Sequence, residues 1–384
     1  MVKVMISLLG GRPLPNVLAA LYLNPDCLYV VASEDSCTPD GNYDKFNLAL
    51  PDRLKPKKLY TVKPYKLQEV FDKCEEINDQ HLNDQITIVS ASEPKLMSFG
   101  AYDFVKNSRE RGRNIDMCYV SREGLVWVLR DEIEPVKIDL KSYFLSYGWN
   151  IEMEQIEDKR LEKLISLLIG QIEISHSLLR ELRSSDKGKG KRTNESKLRN
   201  SKEPILLKEI EKAGIVSNLS FNHDNVKWTI SDDGAQLLLT GVWLEFYIYQ
   251  VASQLKDAQG KPLFDECGWR IKDKSGKGEI DFVGIIGGQI VIASCKTEGE
   301  LKRAWFEELH SKMEQLGKGM CSGLLISSAS RKDKSESDLD KWARERQIIL
   351  VTAEDLSRLP DILKKVVIGD INAEPKDIPC YPRI

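Results

Sequence analysis

The residue types most suited to chemistry lie in one short stretch, 279–297, which reads EIDFVGIIGGQIVIASCKT. Gly287-Gly288 between two β-rich runs predicts a hairpin with a two-residue turn. With Ile286 opposite Gln289, counting back along both strands sets Asp281 opposite Ser294 and Glu279 opposite Lys296. Directly paired residues share a face of the sheet, so these four side chains are expected on one face. Two readings follow. Carboxylate and lysine form a plain cross-strand ion pair, or they form a metal-dependent phosphodiesterase site. In the second, Asp281 holds Mg²⁺ or Mn²⁺ through a hard oxygen, with the backbone carbonyl of Cys295 as a second ligand. Lys296 then orients the attacking water or stabilises charge on the transition state.

These residues need elements to position them. Upstream, 234–256 reads GAQLLLTGVWLEFYIYQVASQLK, a strong helix with Glu245 in its apolar middle. Glu245 either faces solvent or reaches the metal site from the helix. A helix is also expected over 301–316 and a strand over 323–328. That order of elements is the αβββαβ core of the restriction-endonuclease-like fold.

The first half alternates strand and helix. Runs 2–9 and 28–33 are apolar and β-rich, which suits strands buried on both faces. Further strands are expected at 58–62, 86–90, 116–121 and 125–130. The alternation predicts a mostly parallel, Rossmann-like sheet. In such sheets ligands sit beyond the carboxyl ends of the strands. Three loops fall there: Gly10-Gly11-Arg12-Pro13-Leu14-Pro15-Asn16, then Ser33-Glu34-Asp35-Ser36, then Ser92-Glu93-Pro94-Lys95-Leu96-Met97. Glycines let a backbone approach phosphates, helix N-termini attract anions, and Arg12 and Lys95 carry positive charge. The dinucleotide fingerprint G-x-G-x-x-G is missing. Ordinary strand-to-helix turns are the alternative reading.

Between the halves, 154–182 carries an amphipathic helix pattern through Leu161, Leu164, Ile165, Leu168, Ile172, Leu179 and Leu182. Such a helix bridges domains or pairs with its twin across a dimer axis. The tract 183–203, RSSDKGKGKRTNESKLRNSKE, reads as a solvated linker or mobile loop; a basic nucleic-acid patch is the other reading. Residues 204–232 have a helix–turn–β-wing flavour, which fits a small winged-helix insert or a connector. The expected division is 1–150, 151–225 and 226–384.

Composition sets bounds. The chain has 384 residues, with 56 Lys and Arg against 59 Asp and Glu, a net charge of -3 and 41% hydrophobic residues. This excludes whole-chain disorder and a globally basic nucleic-acid binder. No apolar run approaches the roughly 20 residues that span a bilayer, and the strand-like N-terminus lacks a signal-peptide layout, so a cytoplasmic protein without membrane association is expected. The eight cysteines show no CxxC pair and the four histidines lie far apart, so a structural zinc site is not expected.

Both halves resemble one family. The first strand with GGRPLPN, and the later P-K-L-M-S, look like a CARF domain, the sensor for cyclic oligoadenylates in type III CRISPR immunity. GVWLEFYIY, then EIDFV, then VIASCKT, resembles the PD-(D/E)xK nuclease fused to CARF in the Can/Card group of CRISPR ancillary nucleases. The resemblance implies a homodimer whose two CARF domains form one pocket for a cyclic oligoadenylate, most often cyclic tetraadenylate. It implies that the ligand switches on metal-dependent cleavage of DNA, RNA or both. By position, Asp281 matches the metal-binding aspartate, Lys296 the catalytic lysine and Glu245 the helix glutamate. Gly10, Gly11, Arg12, Pro13 and Asn16 match the first ligand loop, Ser33 and Glu34 the second, and Ser92, Lys95 and Met97 fall in the third.

The sequence departs from the family at two places. Ser294-Cys295-Lys296 stands where Glu-x-Lys is usual, and loss of a carboxylate weakens a divalent site. Glu279, Glu298 or Glu300 are the candidates to compensate. In the third loop Ser-Glu-Pro-Lys replaces a glycine-rich stretch; Pro94 removes an N–H and Glu93 adds a negative charge beside an anion. The competing functions are a cyclic-oligoadenylate sensor whose nuclease has lost catalysis, and a CARF-type transcription regulator using 204–232.

Overall fold

The computed structural model describes residues 1–368 apart from 92, 155–157, 277, 298–299, 318 and 332–335. Ser92 and Glu298 therefore lie outside the described residues.

The first half runs β1 (Lys3–Leu9), α1 (Leu14–Leu23), β2 (Cys27–Ser33), α2 (Asn42–Ala49), β3 (Lys58–Val62), α3 (Leu67–Asp79), β4 (Gln85–Ser90), α4 (Lys95–Glu110), β5 (Ile115–Val120), β6 (Leu125–Trp127) and β7 (Glu132–Glu134). The strands form one sheet in the order β3-β2-β1-β4-β5-β6-β7. The first five are parallel, and β6 and β7 return antiparallel. Alternation of strand and helix thus gives the expected Rossmann-like sheet, because a parallel pair needs a crossover and a helix supplies it. The strand order reverses between β1 and β4, which sets the loops after those two strands side by side.

The chain continues through α5 (Leu140–Ser146) and β8 (Ile151–Met153) into α6 (Lys159–Gly170) and α7 (Ile172–Ser185). The single helix expected over 154–182 is two, broken at Gln171 (φ -140°). Both bury their leucine stripe: Leu161, Leu164, Leu168, Leu178 and Leu182 are fully buried. Next come β9 (Arg192–Lys197), α8 (Glu203–Lys212), β10 (Val216–Asn222) and β11 (Asn225–Ile230), with the strands ordered β10-β11-β9. The expected linker is therefore corrected. Its centre is a strand paired along its whole length with β11. It has no apolar face, yet Asn194 and Ser196 are buried, because Trp228 Nε1 donates to Ser196 Oγ at 2.8 Å and Asp186 accepts from Asn194 at 3.2 Å. Polar side chains with partners can be buried where hydropathy alone predicts solvent.

The last part holds α9 (Asp232–Leu239), α10 (Val242–Gln254), β12 (Glu266–Asp273), β13 (Glu279–Ile286), β14 (Gln289–Lys296), α11 (Arg303–Gln315), β15 (Cys321–Ser327), α12 (Glu336–Glu345), β16 (Ile348–Val351) and α13 (Leu359–Ile368). Its sheet runs β16-β15-β14-β13-β12-β8, so β8 is an edge strand contributed from far upstream. The expected helix 234–256 splits at Gly241 (φ +93°), where a Cβ would lie 2.8 Å from Thr297 Oγ1. The expected helix over 301–316 and strand over 323–328 appear as α11 and β15, so the αβββαβ order is present.

Three apolar clusters hold these layers. One fills the outer face of the first sheet, under α3 and α4. A second joins α6, α7, α8 and the small three-stranded sheet (Leu161 through Trp228) to α10, α13 and one face of the last sheet. The third is shared by the two large sheets. It runs from Met5, Leu9 and Leu18 to Ile285, Ile290 and Leu325. Movement of the first sheet against the last must therefore disturb buried contacts, since such interiors are densely packed.

Candidate functional site

The hairpin forms with the expected register: Ile286 pairs with Gln289 and Phe282 with Ala293. The ladder between β13 and β14 ends there. Beyond it, Asp281 Oδ2 accepts the Cys295 N–H at 2.6 Å, in place of a ladder carbonyl. Ser294 Oγ lies 3.5 Å from the same oxygen, too long for a strong hydrogen bond. The expected pairing of Glu279 with Lys296 is corrected: Glu279 stands opposite Lys272 on β12. The two strands part at the carboxylate, so turn arithmetic stops being valid two residues before Glu279.

On the other side of Asp281 stands Arg270, between the β12–β13 pairs Trp269–Phe282 and Ile271–Ile280. Arg270 is left-handed (φ +51°). Alternation of faces breaks here. Trp269 and Phe282 belong to one core cluster, whereas Ile271 and Ile280 belong to the other. The guanidinium reaches α10, where Nη1 lies 3.0 Å from Glu245 Oε2. Glu245 is thus turned inward, with 14% of its side chain exposed. Burial, together with the nearby charge of Asp281, pushes Glu245 up to about 7, against the pull of Arg270. Burial also raises Asp281, opposed by the Cys295 N–H and by the Lys296 and Lys312 ammonium groups. Lys296 Nζ sits 6.0 Å from the Trp305 ring centre on α11. Lys312 is held by Glu308 at 2.7 Å.

Two buried carboxylates, each raised by burial, call for a cation. Among the described residues no group of three or more His, Cys, Asp and Glu is placed to hold one. Two carboxylates nevertheless suit Mg²⁺ or Mn²⁺, since Mg²⁺ commonly takes one or two carboxylates and keeps several waters. The donor set fits on that ground, with Asp281 and Glu245 as hard oxygens. The thiol of Cys295 is no donor, because burial holds it well above its usual range, protonated. Arg270, Lys312 and Trp305 escaped sequence reasoning. Arg270 carries no local pattern, since its partners Glu245 and Glu154 lie 25 or more residues away; Lys312 pairs locally with Glu308, and only the fold brings its charge to bear on Asp281.

At the other end of the molecule, the three loops converge on Gly10. Its carbonyl accepts Ser36 Oγ at 2.7 Å and Asn42 Nδ2 at 3.2 Å, and Ser36 bonds Ser33 Oγ at 2.8 Å. A Cβ on Gly10 would lie 2.5 Å from Pro94 Cδ and 2.8 Å from Glu93 Cα, so glycine is required for the first and third loops to touch. Glu93 does not project as a free charge. Its carboxylate accepts from Ser90 Oγ, from the Ala91 N–H at 2.8 Å and from Ser98 Oγ at 2.6 Å. Gly11, Arg12, Glu34 and Lys95 lie at the surface. Met97, Asn16 and Pro13 are corrected as contact residues: all three are buried, Met97 within the core under α4, and Asn16 bonding the Leu8 carbonyl at 3.1 Å. They shape the loops from behind. Arg12 also acts toward the last sheet, since its charge opposes the rise that burial imposes on Tyr147 just after α5.

The chain thus joins a Rossmann-like sheet, whose loops converge on Gly10, to a restriction-endonuclease-like sheet with a buried carboxylate pair. Residues 232–368, a little over a third of the chain, match the family described as Card1-like, endonuclease domain. No curated protein sequence matches the chain. Among solved structures, Can2 from Sulfobacillus thermosulfidooxidans, in complex with cyclic tetra-adenylate, is similar with a TM-score of 0.75 at 16% identity, over 95% of this chain and 97% of that one. Protein VC1899 from Vibrio cholerae is similar with a TM-score of 0.75 at 14% identity, over 96% and 98%. A type III CRISPR defence DNA nuclease activated by cyclic oligoadenylate aligns with a TM-score of 0.52 at 15% identity, over 84% of this chain and 45% of that one. At these identities the structures share the fold. Residues 232–368 thus match a Card1-like endonuclease domain, and the chain as a whole shares the fold of these structures.

Proposed function

We propose that the protein is a nuclease of type III CRISPR defence, switched on by a cyclic oligoadenylate and dependent on a divalent metal for hydrolysis of DNA or RNA. The observation that carries this reading is the convergence of Asp281, Glu245 and Lys296 where β13 leaves β14, within the residues that match an endonuclease domain. Asp281 and Glu245, with the Cys295 carbonyl, would hold Mg²⁺ or Mn²⁺. Bound there, the ion would supply positive charge to the phosphate oxygens. Lys296, whose charge acts on Asp281, orients the attacking water and stabilises charge on the phosphoryl group. Water adds to phosphorus, the P–O ester bond breaks, and the leaving oxygen takes up a proton.

The loop cluster around Gly10 is the proposed activator pocket, within a sensor spanning 1–150. It offers the N-terminal end of α1 to phosphate, flanked by Arg12 and Lys95. Gly11, Ser33 and Glu34 belong to the same proposed rim. Cyclic tetraadenylate is the proposed ring. A single copy builds half of such a pocket, so the active form is read as a homodimer. In support, α4 presents Leu96, Phe99 and Tyr102 outward beside the third loop, at 38%, 58% and 43% exposure. The cysteines described are all free thiols, in keeping with the reducing cytoplasm, and no helix among the described residues is long and apolar enough to cross a membrane.

One observation favours a second reading, a sensor with a silent nuclease fold: Ser294 stands where a third carboxylate would strengthen the metal site. A single experiment separates the two. Supercoiled plasmid and labelled single-stranded RNA are incubated with the protein and Mn²⁺ or Mg²⁺, with and without cyclic tetraadenylate or cyclic hexaadenylate. Cleavage requiring both metal and a ring is the expected result. Tight binding of a ring without cleavage of either substrate establishes the second reading.

A further inference from the structure

The mechanism above gives Arg270 no role. Arg270 lies opposite Asp281 and adopts left-handed backbone in the middle of a strand. For an L-residue that conformation is strained and persists where the surroundings enforce it. An ordinary cross-strand ion pair has no need of it, because a long side chain reaches its partner from regular β backbone. The conformation turns the guanidinium so that it forks between two carboxylates. Nη1 lies 3.0 Å from Glu245 Oε2, while Nε and Nη2 lie 3.2 and 3.0 Å from Glu154 Oε2. Lys272 Nζ meets the same Glu154 oxygen at 2.9 Å, and the Glu154 N–H donates to the Arg270 carbonyl at 3.3 Å.

Glu154 directly follows β8, the strand by which the chain enters the last sheet after leaving the sensor. Between sensor and β8 lies α5, then Tyr147, on which the Arg12 charge acts. Tyr143, on α5 itself, donates to the Leu316 carbonyl at 2.9 Å beyond α11. The segment that leads from the first sheet into the last thus carries Glu154, and one guanidinium links Glu154 to Glu245.

We infer that Arg270 is a positioning residue of the nuclease site, which fixes Glu245 to Glu154 so that displacement of the β8 segment is felt at the site. This rests on the nuclease reading above. Two substitutions test it without removing a proposed metal ligand. Arg270→Lys keeps the charge but loses the fork, since one ammonium cannot span both carboxylates as a planar guanidinium does. Glu154→Gln removes the anchor and leaves Arg270 and Glu245 in place.

The full chain is assayed for cleavage with Mn²⁺, with and without cyclic tetraadenylate. Mn²⁺ affinity is measured by calorimetry without nucleic acid, and folding by thermal melting. Positioning predicts that both variants lose at least fivefold in the ratio of activated to unactivated rate, with KM for nucleic acid within twofold of the parent. It also predicts that R270K binds Mn²⁺ at least threefold more weakly despite unchanged charge. Two folded variants that keep the full ratio and Mn²⁺ affinity overturn the inference. A lower melting temperature with both quantities intact overturns it too, by showing a purely structural ion pair. If the parent protein cleaves nothing, the nuclease reading fails instead, and the R270K calorimetry alone decides whether Arg270 positions the carboxylates.

Discussion

The two ends of the molecule handle charge in opposite ways. Around Gly10, buried polar contacts are mostly neutral: hydroxyls and an amide bond to one carbonyl, Glu93 is capped by three donors, and the cations Arg12 and Lys95 stay at the surface. Around Asp281, two carboxylates are drawn into a site that burial makes costly for both. The first arrangement is settled before any ligand arrives and fits an anion at small energetic cost. The second holds two buried carboxylates whose cost Arg270, Lys296 and Lys312 offset only in part, since both stay raised, and so favours a cation. Shape can thus be satisfied in advance at one end, while charge cannot at the other.

The comparison can be broken most sharply at the charged end. Asp281→Ala and Lys296→Ala should each lower cleavage by at least roughly a hundredfold, with cyclic tetraadenylate affinity unchanged. Normal cleavage by both would remove the site from β13 and β14.

The same stored charge predicts a pH effect. Glu245 has a folded value of about 7, above its ordinary 4.5. The folded protein holds that proton more tightly than the unfolded chain. Stability from this group is therefore full below pH 4.5, falls as pH rises to about 7, and is flat beyond. With a chelator present, the loss is on the order of 3 kcal/mol. Melting curves at pH 5 and pH 8 should show the decline in the parent protein and a much smaller one in Glu245→Gln. An identical decline in both would contradict a buried ionised Glu245.

At the sensor end the effects should be smaller and steric. Gly10→Ala presses a Cβ onto Glu93 and Pro94 backbone and ring atoms and should cost about 1–3 kcal/mol, with weaker activator binding. Urea titration and ring binding by calorimetry measure both, and unchanged values would show that the loops do not depend on each other. Smallest of all, Arg12→Ala or Lys95→Ala should weaken ring binding by about tenfold, the scale of one charge-assisted hydrogen bond. Such a loss should leave metal-dependent melting untouched. Unchanged ring affinity in both would move the pocket elsewhere.

Much of this was legible in the residues. Apolar β-rich runs fixed β1 to β5 within about two residues, and Gly287-Gly288 fixed the hairpin register down to Phe282–Ala293. Alternation of strand and helix determined a parallel first sheet, because parallel neighbours require crossovers. Local pattern failed where distant groups intervene. Hydropathy assigned 183–203 to solvent, and backbone pairing with β11, together with the Trp228 hydrogen bond, made its centre a strand. Helical periodicity ran through Gly241, where left-handed backbone (φ +93°) parts the two helices and Thr297 leaves no room for a Cβ.

For the candidate site, the sequence by itself singled out Asp281, Lys296 and Glu245, and the loops with Arg12 and Lys95, as the residues proposed to carry the chemistry. Only the tertiary structure decided that Asp281 would clasp the Cys295 N–H as the strands part, that Glu279 would stand opposite Lys272 beyond the end of the β13–β14 ladder, and that Arg270 would stand between Glu245 and Glu154. The reason is physical. Periodicity and turn chemistry act over a few residues, whereas desolvation and Coulomb attraction depend on which distant groups are brought within a few ångströms.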